Sequence, residues 1–372
     1  MAAGGRTPLG HLRFPVAASQ GRRYPETFHP YRNEFQRDRD RVIHSRAFRR
    51  LENKTQVFTP SLSDHFRNRL THTMEVAQIA RTVASALGLD EDLTEALALV
   101  HDIGHPPFAH AGEEELDRQM RRFGERFDHN LHALRIVERF EQRYARFPGL
   151  NLTYEVREGI AKHSSDLTPG TLDEYAPHLR PPLEAQLIDL ADETAYNTAD
   201  LDDAYSAGLF SMAEIGEAVP EYGAIREEID FQFPASPEKV RFQEALRRLV
   251  DLLVSGLIEG TVQAAHSLGD HEAVRAHPVR VACYTAPARE TSLALKAFLR
   301  QRVYFSPDLV EERRRAAGAI GELFGFYLEN PGRLPEGYLD AGAPRHRAIC
   351  DYIAGMTDGF FERTYRETLG AG

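Results

Sequence analysis

The chain has 372 residues, 42% of them hydrophobic, and a formal net charge of −11 at pH 7. That length suits one large domain or two fused ones with a sizeable core, and the acidic balance argues against general nucleic-acid binding. No run of about 18 apolar residues argues for a membrane span, the first residues lack the unbroken apolar stretch of a secretory leader, and the widely separated Cys283 and Cys350 read as buried apolar residues in a reducing cytoplasm.

Residues 1–50 run against the overall charge, with eleven Arg against four Asp or Glu and no Lys. Two readings stand: a solvated basic arm, or a polyanion site in which planar guanidinium groups match phosphate oxygens. Helical periodicity then dominates. Helices are predicted over about 33–50, over HFRNRLTHTMEVAQIARTVASAL and over LTEALALVHDIG. In the second of these, Leu70, Met74, Ala77, Ala80 and Ala84 form a stripe at 3–4 spacing. Further helices are expected at about 112–122, 130–146, 154–162, 183–205, 239–266, 290–302, 308–327 and 344–366. HPVRVACYT, residues 277–285, is one of the few strand-like runs. The Pro-rich loop 164–182 is long enough for a lid or a subunit contact, and 230–239 is the best internal boundary.

HDIGHPPFAHAGEE, residues 101–114, carries the most chemistry. Its helix should be buried with its polar end at a cavity, because Pro106 and Pro107 cannot continue it. Imidazole and carboxylate together bind divalent metals, and imidazole titrates near neutral pH. His72, His101, Asp102 and Asp192 make a candidate metal set, leaving His105, His110 and Glu113 for chemistry. A hard ion, Mg²⁺ or Mn²⁺, suits mixed His and carboxylate ligands, and Fe, Co, Ni or Zn could also sit there. That division of labour reads as a metal-dependent hydrolase.

DRDRVIHSRAFRRLENKTQVF, HTMEVAQIAR, HDIGHPPFAHAGE, FDHNLHALRIV, EVREGIAKHS, ADETAYNTADLDD and DYIAGMTD follow one another along most of the chain. In this order they resemble the HD phosphohydrolase superfamily, and within it the dGTPase-like deoxynucleoside triphosphate triphosphohydrolases. The HD ligand spacing alone is only moderately specific; its combination with FRRLENKTQVF and DYIAGMTD is highly so.

The resemblance implies an all-α protein: an N-terminal Arg-rich arm and helix at 1–59, an HD helical core at 60–205 and a C-terminal helical region at 206–372 packed on it. It implies cleavage of dNTPs between the 5′ oxygen and the α-phosphorus, giving deoxynucleoside and inorganic triphosphate. His72, His101, Asp102 and Asp192 match the metal ligands. His110 and Glu113 match the catalytic His-acid pair, with His110 delivering a proton to the departing oxygen. His129 and His105 match positions facing the phosphates, and Arg69 matches a phosphate-contacting Arg. Gln56, Tyr196 and Asp200 match sugar-side positions, and Asn130 joins them among the substrate-binding candidates. Relatives assemble as homo-oligomers, often hexamers or tetramers, and some are activated by a dNTP bound between subunits. The Arg-rich arm is therefore a candidate effector site, and single-stranded DNA is a weakly supported partner.

The chain departs from the pattern at Glu193, where certain relatives carry a phosphate-binding Lys. Another cation must do that work, and Lys162 is a candidate, a surface Lys being the equal alternative. His132 stands where Gln is frequent and is read as structural, and Asn130 stands where some relatives have Glu. His11, His29, His178, His271 and His346 are expected to carry no chemistry. Two other readings compete: an HD-type nucleoside monophosphatase or cyclic-nucleotide phosphodiesterase, and a sensor of dNTPs or single-stranded DNA without turnover.

Overall fold

The computed structural model describes residues 7–57, 66–164, 167, 172–335, 338 and 342–370. Among these the protein is all-α, with two isolated antiparallel bridges, Arg22–Thr153 and Thr55–Asn68, and no sheet. The helices are α1 Glu34–Ile43, α2 Arg46–Arg50, α3 Arg69–Leu87, α4 Glu91–Val100, α5 Ala109–Arg121, α6 His129–Arg135, α7 Tyr154–Ala161 and α8 Leu183–Ser206. They continue as α9 Met212–Ala218, α10 Pro220–Gln232, α11 Glu238–Ala265, α12 His271–Ala276, α13 Ala286–Leu299, α14 Pro307–Glu329, α15 Arg345–Ala354 and α16 Asp358–Leu369. None of the described helices is long and apolar enough to cross a membrane.

Local chemistry explains where these bounds differ from the sequence expectation. The helix expected over 33–50 breaks at Ser45, whose side chain accepts from the Phe48 N–H and so starts α2. The one expected over 344–366 breaks likewise at Thr357, which caps α16 through the Phe360 N–H. After Arg135 the chain widens into a π-helical turn, Ile136–Phe140, which ends at Glu141, so the helix expected to reach 146 stops early. α9, α10 and α12 were not expected, although Ser211 and Glu214 form a capping box at α9 and Pro220 opens α10. Residues 277–285 are not a strand: the Gln186 side-chain oxygen accepts from the Val281 N–H at 2.8 Å, doing locally what a neighbouring strand would do.

The helices form two compact units. The first comprises Met1–Gln20, Met74–Ala98 and Lys162–Ser306, and the second Gly21–Thr73, Leu99–Ala161 and Pro307–Gly372. Each is assembled from three separate stretches, a different partition from the continuous one at 59/60 and 205/206. In the first unit α11 packs on α8, α10 and α13, so residues 230–239 are only the turn of a helical hairpin. Leu9, Leu87, Leu187, Leu257 and Val274 fill one of its cores. Glu184, at the start of α8, is fully buried and accepts from the backbone N–H groups of Phe14 (2.9 Å) and Asp90 (3.0 Å). In the described part of the 164–182 loop Tyr175 is fully buried, while Asp173, Glu174 and His178 are exposed. Residues 165–166 and 168–171, like 1–6 and 58–59 of the arm, lie outside the described residues.

In the second unit α14 lies along α5 and also meets α15 and α16, around Leu116, Met120, Ile320, Leu323, Phe324, Ile349 and Phe361. Much of the Arg excess is absorbed here. Arg22 pairs with Glu34 at 2.7 Å and with the fully buried Asp38, Arg37 with Glu34 at 2.9 Å, and Arg41 with Glu26 at 2.7 Å. Asp38 also accepts from the Thr153 N–H at 2.9 Å. These guanidinium groups are neither a solvated arm nor an open polyanion site; they hold the entry of α1 to the residues before α7. Because α5 carries His110 and Glu113, its packing on α14 matters to the site. Phe324→Ala should cost about 3–5 kcal/mol, read as a lower denaturation midpoint in urea; an unchanged midpoint would show that this contact does not hold the unit.

Candidate active site

The polar turn after α4 is held in a costly conformation. Phe108 and Ala109 have φ of 61° and 52°, the left-handed region that costs a non-glycine residue about 1–2 kcal/mol. Partners on both sides fix it. The Asp358 carboxylate accepts from the Phe108 N–H (3.1 Å) and the Thr55 N–H (2.7 Å). The Lys54 ammonium donates to the carbonyls of His105 and Ala354. Burial, with Arg50 nearby, pushes Lys54 down to about 7. Gly104 lets α6 lie directly against the turn, since a Cβ there would stand 2.0 Å from the His129 carbonyl oxygen. Asp128 caps α6 through the Asn130 and Leu131 N–H groups at 2.9 and 3.0 Å, which places His129 at the helix start.

Three of the expected metal ligands are brought together in the second unit. One donor atom each from His72, His101 and Asp102 lies within 4.8 Å of the others, and all three residues are at most 4% exposed. Two buried imidazoles and a buried carboxylate this close together suit a divalent ion. Burial works against ionisation of Asp102, yet His105, Arg69 and His101 hold its carboxyl well below the usual range. Arg69 lies 2.7 Å from Asp102 Oδ2, and His105 Nδ1 lies 2.9 Å from Oδ1. Arg69 and His105, expected at the phosphates, are thus engaged with the ligand carboxylate here. Asp192, the fourth expected ligand, belongs to the first unit, on α8.

Beside this cluster, Glu113 joins two histidines. Its carboxylate accepts from His129 Nδ1 at 2.7 Å and from the His129 backbone N–H at 3.1 Å, whereas His110 Nδ1 is 3.7 Å away. The expected His110–Glu113 pair is therefore a triangle, with His129 the tighter member and the His110 side chain 74% exposed. The His129 ring stacks on His105 with centroids 3.9 Å apart. Burial disfavours a charged His129, but Glu113 outweighs it and raises its pKa. Burial together with Arg69 and His129 pushes His105 well below the usual imidazole range. Against burial, His110 and His129 hold Glu113 far below the usual carboxylate range. Asn130 is buried and Gln56 half-buried in the same unit.

On α8, in the first unit, Tyr196 and Asp200 stand one and two turns beyond Asp192. Asp200 accepts from the Tyr304 hydroxyl, and Lys296 lies 5.7 Å from the Tyr196 ring centre. Glu193 accepts from Ser292 Oγ at 2.5 Å and lies 3.7 Å from Lys296 of α13. Lys162 is neither a free cation nor a surface residue. It is 2% exposed, and its ammonium donates to the carbonyls of Ala176 (3.0 Å) and Leu179 (2.8 Å). His132 is buried, 3.5 Å from Asp351, in keeping with a structural role. Sequence reasoning gave no role to Lys54, Asp358, Lys296 or His163. The first two had a signal, since they lie in the LENKTQVF and DYIAGMTD segments.

The all-helical fold agrees with the comparisons to known proteins. Residues 69–197 match the HD domain family and residues 282–367 the phosphohydrolase-associated domain, which defines an HD-class phosphohydrolase. The chain is 43% identical over 369 residues to a deoxyguanosinetriphosphate triphosphohydrolase-like protein of Paracoccus denitrificans, covering 95% of this chain and 97% of that one. A protein of the same description from Azoarcus sp. is 43% identical over 363 residues, covering 96% of this chain and 95% of that one. One from Bradyrhizobium sp. is 44% identical over 375 residues, covering 97% and 96%. The chain belongs to this family of deoxyguanosinetriphosphate triphosphohydrolase-like proteins.

Two outcomes test the geometry. Gly104→Ala pushes α6 and His129 away from the turn, and phosphohydrolase turnover should fall by about 10²-fold with helicity by circular dichroism retained. Turnover equal to the parent would show that the close approach is dispensable. His129 has a raised pKa, so its proton is lost only as pH climbs through that raised value. Glu113→Gln removes the cause and should move the His129 titration to lower pH, read from imidazole resonances of the metal-free protein. An unmoved titration would mean that Glu113 does not set the charge of His129.

Proposed function

We propose that the protein hydrolyses deoxynucleoside triphosphates to deoxynucleoside and inorganic triphosphate with a divalent metal ion, Mg²⁺ or Mn²⁺. The observation that carries this reading is the buried His72–His101–Asp102 cluster lying in the same unit as the Glu113–His129–His110 triangle, in a chain about 43% identical to the dGTPase-like relatives. His72, His101 and Asp102 would hold the ion, with Asp192 as the fourth ligand assigned by the resemblance. When bound, such an ion polarises a phosphoryl oxygen and makes a water molecule more acidic.

The remaining steps fall to this chain's own groups. Glu113 favours the protonated form of His129 beside the buried cluster, where the positive charge would offset that of a polyphosphate. His110, exposed and only loosely held by Glu113, has the reach to give a proton to the departing 5′ oxygen. Arg69 binds a phosphate oxygen with the donors that Asp102 leaves to it. By the resemblance Gln56, Tyr196 and Asp200 take sugar-side roles, and Asn130 is a further substrate-binding residue.

Each dNTP, alone and mixed, incubated with Mg²⁺ or Mn²⁺ and resolved by anion exchange, should give deoxynucleoside and inorganic triphosphate. Release of monophosphate and pyrophosphate instead would overturn the bond assignment. His110→Ala should keep metal binding and lose most turnover, and Asp192→Ala should lose the metal as well. Parent-level activity in His110→Ala would remove His110 from the role of acid.

A further inference from the structure

The first unit holds a buried histidine to which the mechanism above gives no work. His163 follows α7 in the AKHSSD segment, and its side chain is 6% exposed. The backbone around it is tied down at three points. Lys162 is anchored on the Ala176 and Leu179 carbonyls, Arg280 donates to the Lys162 carbonyl at 2.5 Å, and the Ser164 N–H donates to Asp189 Oδ1 at 2.9 Å. The ring itself is oriented by Asp189, whose Oδ1 lies 2.8 Å from Nδ1. Arg280 in turn pairs with the other Asp189 oxygen.

A carboxylate only accepts, so Nδ1 carries a proton and the neutral ring has its lone pair on Nε2. That nitrogen faces Asp192, 3.9 Å from Oδ2. The separation is too long for a hydrogen bond. Two donors each about 2.1 Å from one ion stand at most about 4.2 Å apart, so the separation suits two ligands sharing an ion. An outer carboxylate that fixes the tautomer of a histidine is the arrangement metal-ligating imidazoles use. The Asp189–Arg280 pair holds both the backbone on either side of His163 and the ring nitrogen that faces away from Asp192.

We propose that His163 is a further ligand, through Nε2, of the divalent ion that Asp192 binds, and that Asp189 with Arg280 orients it. The inference rests on the metal-dependent reading above, and its test needs no turnover. Metal-stripped full-length protein would be titrated with Mn²⁺ by calorimetry, and the visible absorption of the Co²⁺-loaded protein recorded, for the parent, His163→Gln and Asp189→Asn. His163→Gln should weaken Mn²⁺ binding by at least about tenfold and change the Co²⁺ bands; Asp189→Asn, which keeps the imidazole, should weaken binding by about tenfold. Unchanged affinity and an unchanged Co²⁺ spectrum in either folded variant would overturn the proposal; should His163→Gln fail to fold, Asp189→Asn decides alone. A parent protein that binds Mn²⁺ through His163 but releases no triphosphate from any dNTP would leave this ligand standing and overturn the proposed reaction instead.

Discussion

Much of the second unit's chemistry hangs on how the turn 101–108 is held from outside itself. Two charged side chains far apart in sequence do this, Lys54 on the carbonyls of His105 and Ala354, and Asp358 on the N–H groups of Thr55 and Phe108. The turn needs them because Phe108 and Ala109 sit in a strained backbone region and Pro106–Pro107 supply no N–H of their own. With the turn fixed, His101 and Asp102 stand at its start, His105 in its middle, and His110 and Glu113 on the helix that leaves it. Lys54 is buried and Asp358 half-buried, and each is tolerable there because backbone groups satisfy it.

This clamp also explains a feature of the sequence that spacing alone leaves opaque. The LENKTQVF and DYIAGMTD segments are some 300 residues apart and carry no metal-binding pattern, yet they accompany the HD residues in the resemblance. Lys54 lies in the first and Asp358 in the second, and they meet the same turn.

The helical class and the His–Asp residues were legible because they depend on local pattern: 3–4 spacing of apolar residues, and ligand types that few other uses demand. The breaks at Ser45 and Thr357 were less so, since a capping side chain competes with continued helix by a margin that periodicity does not register. Partnerships were least legible. Position and charge single out Arg69, His105 and Lys162 but do not say which groups of the chain itself they meet. Lys162 meets two carbonyls and Arg69 a carboxylate. His129 was placed near the phosphates, whereas its tight bond to Glu113 crosses sixteen residues and two helices.

The stacked rings of His105 and His129 carry a consequence for how the pocket stores charge. Their centroids are 3.9 Å apart, and the surroundings drive their basicities in opposite directions, Glu113 favouring a proton on one ring and Arg69 disfavouring it on the other. Two imidazolium ions so close would repel strongly in a poorly screened interior. An extra proton shared by the pair is therefore favoured on His129 and disfavoured on His105. The His105 ring is also a flat wall against which the His129 ring is kept in register, so the same contact that biases the charge holds the orientation.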